Sequence, residues 1–152
     1  MSAETHAIRD IIDPEHRLPA VQLEPRVGAE ELGVHYITLD GQNVGIAHLR
    51  DHSNSADDAH ISWINVEQDS RKNGVGMAVY LAAIERAHER GEVFRTHHLR
   101  QTGDAAKIWQ RFIDAGIAEV VEPFEPTHFD DDHKPTHYKG HMRIPPTSDA
   151  KK

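Results

Sequence analysis

The sequence predicts an α/β domain built on a mixed, mostly antiparallel sheet flanked by helices, and three stretches carry that expectation. In residues 61–91, ISWINVEQDSRKNGVGMAVYLAAIERAHERG, a β-branched and aromatic run passes through a glycine turn directly into a long helical pattern. Residues 34–39 and 44–49 are two β-prone runs around Asp40-Gly41-Gln42-Asn43, an antiparallel hairpin with glycine where positive φ is needed. Residues 93–99 form a strand after the long helix, completing a βαβ unit whose two strands are parallel.

The other elements follow along the chain. Residues 6–12 read as a first strand, and Asp13-Pro14-Glu15 as a helix start with Asp13 as cap, soon cut short by Pro19 and Pro25. Residues 51–59, DHSNSADDA, are a polar loop. The helix over 74–90 buries Met77, Leu81 and Ile84, with Val75, Val79, Ala82, Ala83 and Ala87 widening the stripe. Its charged tail from residue 85 is solvated and Gly91 ends it. A second amphipathic helix over 104–115 groups Ala105, Ile108, Trp109 and Phe112, with Asp104 as N-cap and Gly116 beyond its end. Strands at 118–122 and 137–144 close the sheet around a proline-rich acidic loop at 123–135. One domain is expected over 1–146, its first 33 residues poorly defined, with a disordered tail at 147–152.

Composition narrows the partners. Seventeen basic against 25 acidic residues give a net charge of −8 among 152 residues, which argues against a nucleic-acid surface and favours a cationic partner such as a free amine. Thirteen histidines would carry the formal charge to +5 if all were protonated, so association and solubility depend on pH below about 6.5. The chain has no cysteine, which excludes disulfides, thiolate metal sites and a thiol nucleophile. With no basic leader, no apolar leader segment and no run of about 18 apolar residues, the expectation is a soluble cytoplasmic protein without a membrane partner.

The chemistry concentrates at Arg71-Lys72-Asn73-Gly74-Val75-Gly76. Two glycines at a helix mouth let the backbone approach a ligand, the helix amides and dipole attract anions, and two basic residues add charge, so the turn is a phosphate seat. A plain connecting turn requires neither that length nor that charge. A Walker loop needs four residues between its glycines and then Gly-Lys-Ser/Thr, and a dinucleotide fingerprint needs Gly-x-Gly-x-x-Gly. Gly76 is followed instead by Met77-Ala78-Val79.

The spacing resembles motif A of the GNAT N-acetyltransferases, a pattern like Val-x-Pro-x-x-Arg-x-x-Gly-x-Gly that ends a strand and opens a long helix. Val66, Arg71, Gly74 and Gly76 match in register, and Gln68 stands where proline is usual. The resemblance runs over roughly 33–144 and implies a GNAT-like acyl-CoA N-acyltransferase fold with a reduced N-terminal helical region. It implies acetyl-CoA as cosubstrate, bound by Asn65, Val66, Arg71, Lys72, Asn73, Gly74, Val75 and Gly76. The acceptor it implies is a primary amine on a small molecule, protein or peptide, and it is compatible with a homodimer.

For catalysis the resemblance points to the start of the motif A strand. His60 stands where some members carry a glutamate base, and Ser62 lies on the same strand face. A neutral imidazole is a competent base near pH 7, while a half-exposed strand-edge histidine is the plain alternative. The tyrosine acid usual in the next helix is not evident, since the segment reads Trp109-Gln110-Arg111-Phe112. His128, Asp130, Asp131, Asp132, His133, His137 and His141 are the richest donor group. Their types suit zinc or nickel, yet no helical spacing fixes a geometry, so no metal ligand is assigned and the acidic segment is read as bordering the acceptor entrance. A non-catalytic acyl-CoA-binding module and a histidine-rich metal-binding protein are the alternative functions.

Overall fold

The computed structural model describes residues 3–26, 33–51, 58–67, 74–97 and 101–146, with side chains from residue 8 onward. They divide into two compact units, one formed by the chain up to Phe94 with the residues from Pro145, the other by Arg95–Ile144.

The first unit opens with a helix, α1 (Ala3–Ile12), where a strand was expected. Ile8 and Ile12 are both buried while Ile11 is exposed, a helical rather than an alternating pattern. Asp13 therefore follows a helix instead of capping one. Its carboxylate accepts the amides of Arg17 at 2.8 Å and Leu18 at 3.0 Å, pinning the turn that leaves α1. Burial raises the pKa of that carboxyl, but the two amides outweigh it and hold it below the usual range.

An unanticipated strand, β1 (Val21–Pro25), then pairs antiparallel with β2 (Val34–Leu39), which pairs with β3 (Gln42–Arg50) and so with β4 (His60–Val66), in the order β1-β2-β3-β4. The expected hairpin is present, with a tighter turn: Asp40 and Gly41 alone connect β2 and β3, both at positive φ (52° and 81°), the signature of a type I′ turn. Gly45 is dictated by its neighbour, because a Cβ there would stand 2.4 Å from the Asn65 carbonyl oxygen on β4.

Helix α2 (Val75–Glu89) packs on β1, β4 and α1 through Met77, Leu81, Ile84 and their buried neighbours. Arg9 Nε donates to Glu85 Oε2 at 2.8 Å, tying α1 to α2. The end of α2 differs from the solvated tail expected. His88 is buried, and Arg86 Nε and Arg90 Nη1 lie 3.4 and 3.2 Å from Oδ2 of Asp51, whose side chain is 5% exposed. Two arginines four residues apart share a helix face, and that face meets the residue just after β3. Gly91 at φ 73° donates its amide to the His88 carbonyl and ends the helix, as expected. The strand expected next is described as β5 (Phe94–Arg95), and Phe94 forms a parallel bridge with Ala59.

The second unit contains β6 (Gln101–Thr102), α3 (Gly103–Asp114), β7 (Glu119–Phe129) and β8 (Pro135–Ile144). The cap of α3 is Thr102 rather than Asp104: its hydroxyl accepts the Ala105 amide at 3.2 Å, and Asp104 sits in the first turn near the positive helix end. Trp109 and Phe112 meet edge to face at 5.8 Å on the buried side of α3, which packs on β8 and β6. Strand β8 pairs with β7 along its length and with β6 through Gln101↔Tyr138.

The loop expected at 123–135 is largely strand. Among the described residues β7 pairs with β8 alone, and an edge strand tolerates prolines such as Pro123 and Pro126 better than a central one. Repeated register shifts accommodate them, and Phe124 lies over Gly140, where a Cβ would stand 2.8 Å from its ring. The loop proper is Asp130 to Lys134, held by Asp130 Oδ1, which accepts the amides of Asp132 and Lys134 at 2.9 Å. The expected tail at 147–152 lies outside the described residues.

Removing the Asp51 carboxylate leaves two guanidinium groups facing each other without it. Because both are partly solvated, Asp51→Ala should destabilise the protein by about 1–3 kcal/mol in urea unfolding, less than a fully buried pair would lose. A change within about 0.5 kcal/mol would show that the cluster contributes no more than an ordinary surface contact.

Candidate active site

The sequence places the candidate site where β4 leads toward α2, and the structure supplies two parts of it. The first is the outer edge of β4. The Glu67 amide donates to the Val44 carbonyl at 2.8 Å, and the Asn65 carbonyl faces Gly45, so residues 65 and 67 direct their peptide groups into the sheet. Peptide groups alternate along a strand, so those of Ile64 and Val66 point to the outer edge. Of the two strand residues assigned to the cosubstrate, Val66 thus has the outward backbone and Asn65 presents an exposed side chain.

The second part is the mouth of α2. Gly74 is its N-cap, at φ 82° in the left-handed region, with no side chain capping the helix. A Cβ at Gly74 would stand 2.7 Å from Leu18 Cδ2, so glycine is required by torsion and by space together. The first helical bond runs from the Ala78 amide to the Gly74 carbonyl at 3.0 Å. The amides of Val75, Gly76 and Met77 precede it and have no carbonyl to meet within the helix. No acidic residue occupies the first turn, leaving the positive end of the dipole unneutralised from within the helix. Buried Val75 and Met77 anchor this turn, and Gly76 between them is half-exposed. Arg71, Lys72 and Asn73 lie outside the described residues.

His60 is at the other end of β4, six residues from Val66, which is roughly 20 Å along an extended strand. It is not a half-exposed edge residue: it is 6% exposed, with Nδ1 3.1 Å from the Asp58 carbonyl. Together with Arg50, Asp51, Ala83, Arg86 and Phe94 it lines a cavity of about 10 Å³, the room of a single water. Ser62, two residues along, is half-buried on the same strand face. The structure thus brings His60 and Ser62 to one face, and places Val66 at the end of β4 and Gly74, Val75 and Gly76 at the mouth of α2.

Two features were not anticipated. Trp63 on the opposite face of β4 is 47% exposed and stacks on His48 with ring centroids 5.6 Å apart, a cross-strand pairing visible only once the register is known. Beside Asp51, Arg86 and Arg90 lies His35, buried, with Nδ1 2.9 Å from the Gly33 carbonyl and, among the described residues, no hydrogen-bond partner for Nε2. Burial lowers its pKa, and Arg86 and Arg90 push in the same direction, against the Gly33 carbonyl and Asp51.

An antiparallel sheet whose last strand leads toward a helix opened by glycine, with no acidic residue in its first turn, defines an α/β protein. The sequence matches the acetyltransferase (GNAT) family over residues 4–112, and the chain belongs to that family. No curated protein sequence matches it. Among solved structures, its fold is similar to the ribosomal-protein-S18-alanine N-acetyltransferase of Escherichia coli (TM-score 0.54, 15% identity, 97% of this chain and 91% of that one). It is likewise similar to a Bacillus subtilis acetyltransferase in complex with CoA (0.55, 12%, 84% and 98%). A third is a GNAT acetyltransferase of Elizabethkingia anophelis with acetyl-CoA bound (0.56, 8%, 83% and 98%). The resemblance seen in the motif A spacing is therefore borne out for family and fold.

His35 gives the structure an acid-sensitive interior. Its folded-state pKa is depressed, so as pH falls below the ordinary value near 6.5 the unfolded chain takes up the proton first. The stability that neutral His35 contributes is complete above that value and is lost between it and the lower folded-state value. Urea midpoints should fall as pH is lowered from about 7 to 5.5, and the fall should be shallower in His35→Asn, which keeps a donor for the Gly33 carbonyl. An equal slope in the variant would assign the acid sensitivity to other histidines.

Proposed function

We propose that this protein transfers the acetyl group of acetyl-CoA to a primary amine by direct attack. The observation that carries the reading is the α2 mouth: a left-handed glycine cap, three amides with no helical partner and no acidic side chain in the first turn. These groups suit the pyrophosphate of the cosubstrate, with Arg71, Lys72 and Asn73 completing the seat. The outward peptide groups of Ile64 and Val66 suit the amide-bearing pantetheine arm. Family membership supports the same chemistry, as do two structures of this fold that contain CoA or acetyl-CoA.

In the reaction the neutral amine attacks the thioester carbonyl, a C–N bond forms, the C–S bond breaks, and the amine proton passes to a base while the departing thiolate takes up a proton. His60 is assigned as that base, through the single-water cavity it lines, with Ser62 beside it as a hydroxyl on the same face. The acceptor is an amine-bearing small molecule or a protein or peptide amine, drawn toward an acidic protein that includes the exposed Asp131 and Asp132. A single acetyltransferase domain acting in the cytoplasm, where the thioester is made and used, is part of this reading. No helix among the described residues is long and apolar enough to cross a membrane.

Calorimetric titration with acetyl-CoA tests the cosubstrate seat. Gly76→Val should weaken binding by at least about tenfold, since a β-branched side chain would crowd the amides that face the phosphate. Equal affinity in wild type and variant would remove the helix mouth from the site. The base is tested separately: His60→Gln, which preserves much of the side-chain volume, should lower the acetylation rate by about 10²-fold and abolish an imidazole-like rise with pH, while acetyl-CoA affinity is retained. A full rate with an unchanged pH profile would return His60 to a structural role.

A further inference from the structure

The geometry points to a metal-binding site on the hairpin of the second unit, formed by His128 and His137 and suited to a late first-row divalent ion such as zinc. The two residues are nine apart in the chain and face each other across β7 and β8 as register partners. Their ring centroids are 5.3 Å apart and the rings meet at 69°. With a metal–nitrogen bond of about 2.1 Å, each centroid would stand about 3.2 Å from an ion, and centroids 5.3 Å apart then subtend about 110° at it, close to a tetrahedral angle.

The second observation concerns the other ring nitrogen. Thr127 Oγ1 is 2.9 Å from Nδ1 of His128, and Thr136 Oγ1 is 3.0 Å from Nδ1 of His137, so each histidine is held by the hydroxyl of the residue before it. A hydroxyl rotates to accept from Nδ1–H, the tautomer that leaves the Nε2 lone pair for a metal. One Thr-His dipeptide on each strand thus supplies both a ligand and the group that orients it. His128 is exposed and His137 half-buried, so an ion reaches the pair from solvent, with water filling its remaining positions.

Among the described residues no group of three or more His, Cys, Asp or Glu is placed to hold a metal, so this site has two protein ligands and exchanges its ion readily. Imidazole pairs favour copper, nickel and zinc over magnesium or calcium. The site falls where register shifts on both sides of His128 interrupt the β7–β8 ladder, and a bound ion would cross-link the strands at that weak point.

The test is calorimetric titration of the untagged full-length chain with zinc chloride, alongside calcium chloride. One zinc per chain should bind, with no calcium at the same site. His128→Ala and His137→Ala should each weaken zinc binding by at least about tenfold, and Thr127→Val with Thr136→Val by about tenfold through loss of orientation. Far-UV circular dichroism confirms that each variant is folded. In wild type labelled at histidine, zinc should shift the imidazole resonances of His128 and His137 together. An unchanged isotherm in the His128→Ala/His137→Ala double variant, or shifts confined to other histidines, would overturn the assignment.

Discussion

The first unit depends on one backbone torsion. Gly74 at φ 82° sets the direction in which α2 begins, and the Leu18 side chain occupies the space that any larger residue would need. Helix α2 starts there, and its buried face then meets β1, β4 and α1 in turn. The torsion that orients the helix also leaves its first amides without a side-chain cap, so the requirement of the fold and that of an anion seat coincide at a single glycine. The Asp13 turn and the Arg9–Glu85 pair hold the segment carrying Leu18 against this point.

At the far end of α2 the interior is polar. One carboxylate, Asp51, lies between two guanidinium groups, and His35 stands close enough for both to disfavour its proton. Burial first, and then the two guanidinium groups, disfavour the protonated histidine, while the Gly33 carbonyl and Asp51 oppose them. The cavity beside His60 shares Asp51 and Arg86 with this cluster, and any proton that moves there does so within a field fixed by them.

Much of this was legible from residues alone, and the failures share causes. The hairpin at Asp40-Gly41, the long helix with its Gly91 stop and the Val66–Gly76 spacing were readable because each rests on local chemistry: positive φ, helical periodicity, glycine at fixed offsets. Residues 6–12 misled because two isoleucines four apart fit a helix while the β-branched composition suggested a strand. Prolines at 123 and 126 read as loop because the position of β7 beside β8 is a tertiary fact. The burial of Asp51 depends on packing between distant segments and the meeting of His128 with His137 on the register of a hairpin read from the sequence as a loop, and no spacing within the chain reveals either.

The edge formed by β7 has a consequence for the protein at high concentration. An eleven-residue strand that pairs on one side among the described residues, bearing exposed Val120, Val121 and Phe129, is the kind of template on which further chains can stack into fibrils. Here the strand carries two prolines, which have no amide to offer, register shifts interrupt the ladder, and Glu122 and Glu125 add negative charge that disfavours a second copy of the same strand, while Glu119 pairs with Arg143 at 3.3 Å. The prolines that disguise the strand in the sequence are thus of the kind that blunts a strand edge against pairing with further chains.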